Sequence, residues 1–145
     1  MRKNRLRELW AAGQAAVNGW VSVPSPYVAE VMSHQGWDGL TIDLQHGPID
    51  VPDAIPMLQA MSAGNAVPII RVPWNEPSVI MRCLDAGAYG IICPMINNRD
   101  DAERFVGACR YPPDGYRSNG AYRGTIYGGA DYLDHANEEI LTFAM

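Results

Sequence analysis

The sequence is short of basic charge. Eleven Lys and Arg stand against sixteen Asp and Glu over 145 residues, a formal net charge of -5. Nucleic-acid binding needs a basic face, and this composition does not offer one. A long apolar run is also missing: no segment approaches the roughly 20 apolar residues of a membrane helix. The basic start (Arg2, Lys3, Arg5, Arg7) passes into Glu8 and helix formers, not into the apolar stretch of a secretion signal, and predicts a solvated first helix. Cysteine is scarce too. Cys83, Cys93 and Cys109 make an odd number without C-x-x-C spacing, so free core thiols in a cytoplasmic protein are expected. What is present is apolar content, 48% of residues, enough for one core and too much for a disordered chain.

Those apolar residues come in short runs that alternate with helical patterns. Strands are predicted at 17–23, 38–44, 67–72 and 89–94. Helices are predicted at 3–12, 27–35, 51–63, 77–87 and from Asn98 to about Cys109. The 51–63 helix opens on Asp50, Pro52 and Asp53 and stops at Gly64-Asn65, and the 77–87 helix opens on Pro77 and ends at Gly87. Strands apolar on both faces, each followed by a helix, belong in a parallel sheet covered by helices. Residues 111–130, rich in Gly, Pro and Tyr, read as a long functional loop carrying Arg117 and Arg123. Ile140 to Met145 reads as the start of a fifth strand. Four and a half βα units do not close an eight-stranded barrel, so the chain is expected to be the N-terminal part of a longer protein, lying within one domain over 1–145.

Polar residues gather where the strands end. Asp43, Gln45 and His46 close the second strand before Gly47-Pro48 turns the chain. Asp-x-x-His can orient an imidazole for proton transfer, but the pattern is weak, and spacing alone favours a solvated loop acid and a helix-capping or packing histidine. Arg71, embedded between Ile70 and Val72, must find an anion or a carboxylate, because an unpaired buried charge costs several kcal/mol. Asp85, judged from its neighbours, is an ordinary exposed helix residue.

Taken together, four segments resemble the HpcH/HpaI family of class II pyruvate aldolases. They are Gly36-Trp37-Asp38-Gly39-Leu40-Thr41-Ile42-Asp43-Leu44-Gln45-His46-Gly47, Pro68-Ile69-Ile70-Arg71-Val72-Pro73, Leu84-Asp85-Ala86-Gly87-Ala88-Tyr89-Gly90-Ile91-Ile92-Cys93-Pro94-Met95 and Arg110-Tyr111-Pro112-Pro113-Asp114-Gly115-Tyr116-Arg117-Ser118. The resemblance covers nearly all of residues 4–145. It implies an α/β, TIM-type (β/α)8 barrel, here its first four to five βα units. It implies reversible cleavage of a 4-hydroxy-2-oxo acid to pyruvate and an aldehyde, with Mg²⁺ or Mn²⁺ in the full-length protein, and a homo-oligomer.

Position by position, the resemblance gives Arg71 the pyruvate oxygen and the enolate, and His46 the role of base through a bound water. It gives Asp85 the pairing with that histidine from a neighbouring subunit, and Asp43 a place near the metal's water shell. Gln45 stands where many relatives have Glu, beside the substrate. The metal's own protein ligands are expected beyond Met145, so these residues alone are expected to be inactive. A relative acting on citryl or malyl thioesters, and a barrel fragment without catalysis, are the alternatives.

Overall fold

The computed structural model describes all 145 residues. Five strands, β1 (Asn18–Val21), β2 (Gly39–Asp43), β3 (Val67–Arg71), β4 (Gly90–Cys93) and β5 (Leu141–Ala144), form one sheet in chain order. Every neighbouring pair is parallel. Helices α1 (Arg5–Ala11), α2 (Pro26–Ser33), α3 (Val51–Met61), α4 (Pro77–Asp85), α5 (Arg99–Cys109), α6 (Tyr122–Gly128) and α7 (Tyr132–Glu139) complete the chain. Parallel strands in sequential order joined by helices are the winding of a TIM-type barrel, here five strands long.

The helix starts follow from their residues. Asp50 accepts from the Val51 amide, and Asp53 reaches back to the Asp50 amide, so two otherwise orphaned donors are satisfied. Asn98 caps α5 through the Asp101 amide at 2.9 Å, and Ser25 caps α2. Each such cap contributes about 1 kcal/mol. On the sheet face under the helices, Leu40, Ile42, Ile70, Ile91 and Cys93 are fully buried. Burying each large aliphatic contributes roughly 1.5–3 kcal/mol.

Side chains alternate across a strand, so the register sorts the opposite, concave face. Trp20 pairs with Thr41, Asp43 with Arg71, and Arg71 with Ile92. Helix α1 covers the N-terminal end of this face: Leu6 lies beside Gly39, and Trp10 meets Phe143 edge-on at 6.1 Å. The basic start of the chain is spent on this docking. Lys3 pairs with Glu139, Arg5 with Asp38, and Arg7 donates to the Glu139 and Ile140 carbonyls. The first helix is therefore more than a solvated one.

Two expectations need correction. The first strand is shorter than 17–23, and residues 111–130 are not one loop. They contain α6, and α7 follows directly. Neither helix has a side-chain cap. Their stability comes from packing: a Cβ at Gly124 or Gly128 would stand 2.8 or 2.6 Å from the Tyr132 ring, so the glycines let α7 close on α6. Helices made by tertiary contact leave little trace in propensity.

All three thiols are free and buried, in α4, β4 and α5. Burial pushes Cys83 and Cys109 up to about 12 and Cys93 to about 11. No helix is long and apolar enough to cross a membrane.

Candidate active site

Asp43 and Arg71 are the last residues of adjacent parallel strands and stand directly opposite in register. The guanidinium engages the carboxylate side-on, Nε donating to Oδ1 at 2.8 Å and Nη2 to Oδ2 at 2.5 Å. The Gln45 and His46 amides also donate to Asp43 Oδ1, at 3.0 and 3.3 Å. That turn depends on Gly47, since a Cβ there would stand 2.6 Å from the Asp43 carbonyl oxygen. Burial alone would raise the Asp43 carboxyl. The bonds from Arg71 and the two amides outweigh it and hold the group below the usual carboxylate range. Arg71 is in turn raised, chiefly by its hydrogen bond to Asp43.

Of the two partners open to Arg71 from the sequence, the carboxylate is the one it has. Two hydrogen bonds occupy one edge of the guanidinium, and Nη1 has no partner within the chain. The side chain keeps 15% of its surface exposed, at the C-terminal end of the strands. This is a planar cation held along one edge, with a free donor edge suited to an oxyanion. Trp20, which the sequence did not single out, lies against the guanidinium, with the ring centroid 4.7 Å from Cζ.

His46 is exposed, and its imidazole makes no hydrogen bond or ion pair within the chain. Gln45 is half-buried, and its side-chain oxygen is sealed from solvent without a donor. Asp85 is not paired with His46. It is not an ordinary exposed helix residue either, because it accepts from Arg117 Nη2 at 2.9 Å. Arg117 is fully buried. It also donates to the Tyr132 hydroxyl and stacks on Tyr111, its Cζ 4.4 Å from the ring centroid. The expectation that Arg117 serves a functional loop is thus replaced by a structural use, pinning that segment to α4 and α7. Arg123 does the same work, donating to the Ala86 carbonyl.

A divalent ion does not fit the donors present. No three His, Cys, Asp or Glu side chains converge anywhere in the chain. At the strand ends the carboxylate is Asp43, whose oxygens are taken by Arg71 and two amides. The largest surface depression runs along α5, lined by Arg99, Glu103, Val106 and Asp114, and includes none of these site residues.

The comparisons with known proteins identify the family. The family model described as HpcH/HpaI aldolase/citrate lyase matches residues 17–144. The chain is 42% identical over 142 residues to a hydroxypyruvate/pyruvate aldolase of Rhizorhabdus wittichii, covering 98% of this chain and 57% of that protein. It is 35% identical over 139 residues to a 5-keto-4-deoxy-D-glucarate aldolase of Escherichia coli, covering 94% and 54%. A crystal structure of an HpcH/HpaI aldolase/citrate lyase family protein from Burkholderia cenocepacia superposes with a TM-score of 0.88 at 35% identity, covering 98% of this chain and 59% of that one. The chain thus spans little more than half the length of the relatives it matches. With its parallel half-barrel and an Arg–Asp pair across the strand ends, the chain belongs to the HpcH/HpaI aldolase/citrate lyase family.

Proposed function

We propose that the whole protein is an aldolase that reversibly cleaves a 4-hydroxy-2-oxo acid to pyruvate and an aldehyde. The observation that carries this reading is the free donor edge of Arg71, whose other edge is bonded by Asp43. In the cleavage direction a base removes the 4-hydroxyl proton and the C3–C4 bond breaks. C4 becomes the aldehyde carbon, and the bonding pair moves through C3 and C2 onto the 2-oxo oxygen. The enolate then takes a proton at C3 to give pyruvate. Arg71 is suited to meet the charge that develops on that oxygen, and such pre-aimed donors are typically worth about 10²–10³ in rate. Exposure and the lack of an internal partner support His46 as the proton acceptor.

Asp85 would join a histidine only from another copy, so its role belongs to the homo-oligomer implied by the resemblance. The divalent ion has no donor set among these residues and enters no step here. Three free thiols support a cytoplasmic setting.

Enolisation can be read without knowing the aldehyde. The whole protein, supplied with Mg²⁺ or Mn²⁺, should exchange the methyl protons of pyruvate with deuterated water, followed by the loss of their proton resonance. No exchange above the protein-free rate would overturn the reading.

A further inference from the structure

Two hydrogen bonds along one edge do not fix a guanidinium completely. They hold it in line with the carboxylate but leave a hinge, a rotation of the plane about the line joining Nε and Nη2. The unpartnered Nη1 swings through an arc as that hinge moves. The covalent stem through Cδ limits that swing only in part; a contact on the face of the plane limits it further, and the Trp20 ring, 4.7 Å from Cζ, supplies one. Trp20 shares the concave face with Asp43 and Arg71 by register. Trp20 lies on the edge strand of the sheet and is 44% exposed. What the ring covers is the guanidinium. An indole presents the best aromatic face for a cation, and Arg stacks on it readily.

We propose that Trp20 is a positioning residue for Arg71, holding the guanidinium plane so that its free Nη1 edge points at one place in the mouth of the sheet. The proposal rests on the aldolase reading, in which that edge meets the 2-oxo oxygen. Trp20 acts through Arg71 and takes no proton.

The test uses the whole protein, with pyruvate as the probe in the deuterium-exchange assay, and compares Trp20→Phe, Trp20→Leu and Arg71→Lys. Leu keeps the apolar character of the site but has no π face. Losing a cation–π contact of this kind should lower the exchange rate at saturating pyruvate roughly tenfold in Trp20→Leu. Trp20→Phe should recover most of the loss, although Phe is also smaller than Trp. Melting temperatures of the two Trp20 variants should agree with each other, so recovery by Phe cannot be ascribed to folding. Equal rates in Phe and Leu, or full activity in Leu, would overturn the proposal. Should Trp20→Leu fail to fold, Trp20→Phe decides: near-full exchange supports the proposal, and a rate more than tenfold down overturns it. Arg71→Lys separates the two readings. If it retains full exchange, the aldolase role of Arg71 fails. If it loses exchange while Trp20→Leu keeps it, only the positioning role of Trp20 fails.

Discussion

The chain contains two arginine–carboxylate pairs seated on aromatic rings, and they do different work. Arg71 bonds Asp43 and lies on Trp20, whereas Arg117 bonds Asp85 and lies on Tyr111 and Tyr132. The side chain of Arg117 is wholly buried and that of Arg71 is 15% exposed. The first has its Nη donors bonded to Asp85 and Tyr132, and the second has an Nη1 without a partner in the chain. The same residue types thus make a fastening at Arg117 and, on the proposed aldolase reading, a receptor at Arg71. What decides is where the leftover donors point.

Replacing the guanidinium by an ammonium should expose that difference most strongly. Arg71→Lys in the whole protein is expected to lower aldol cleavage by roughly 10²-fold or more with the far-ultraviolet spectrum unchanged, because Lys cannot reproduce side-on pairing with Asp43 while offering a second donor edge. Pyruvate release from a 4-hydroxy-2-oxo acid measures it. Near-normal turnover would mean Arg71 is a fastening after all.

The other pair should respond in stability. Asp85→Ala leaves the buried Arg117 charge without its carboxylate and should cost about 3 kcal/mol. Arg117→Met should cost less, because the Asp85 side chain is 30% exposed and can hydrate once released. Urea unfolding of the two variants gives the order, and the reverse order would sink this account of the pair.

Acid should separate the pairs more gently. The folded Asp43 carboxyl lies below its unfolded value, so its contribution is complete above about pH 4 and is lost as pH falls through the folded value. The stability gap between wild type and Asp43→Asn should therefore be constant from pH 7 to 5 and shrink below about pH 4. Chemical denaturation across that range reads it directly. A gap that widened on acidification would contradict the depressed carboxyl.

The smallest effect should come from metal. Calorimetric titration of the 145-residue chain with Mn²⁺ is expected to give no tight one-to-one binding, since Asp43 is already saturated with donors. A stoichiometric heat signal would show that Asp43 can leave Arg71, and the comparison would need redrawing.

The strand-end polar residues were legible because the physics that reveals them is local. An arginine between Ile70 and Val72, or an acid closing an apolar run, stands out against its neighbours. The same holds for α3, whose Asp50, Pro52 and Asp53 announce its first turn. Asp85 did not stand out, because its partner Arg117 lies 32 residues away, in the segment between α5 and α6, and only folding lays that segment against α4. Helix α6 was hidden for a related reason: Tyr122, Gly124 and Thr125 are weak helix formers, and Tyr132 and Ala86 hold them in place. Trp20 was missed because register, not sequence distance, sets it against Arg71.

The sealed thiols give each half of this molecule its own reporter. Cys83 lies two residues from Asp85 in α4, and Cys93 closes β4 beside the strand bearing Arg71. With both held nearly unionised in the folded state, a thiol reagent can modify them only through openings of the chain. Labelling kinetics resolved by peptide would then map which region breathes when either arginine pair is cut. A variant of the whole protein could be sorted into loosened or merely silenced before any substrate is added.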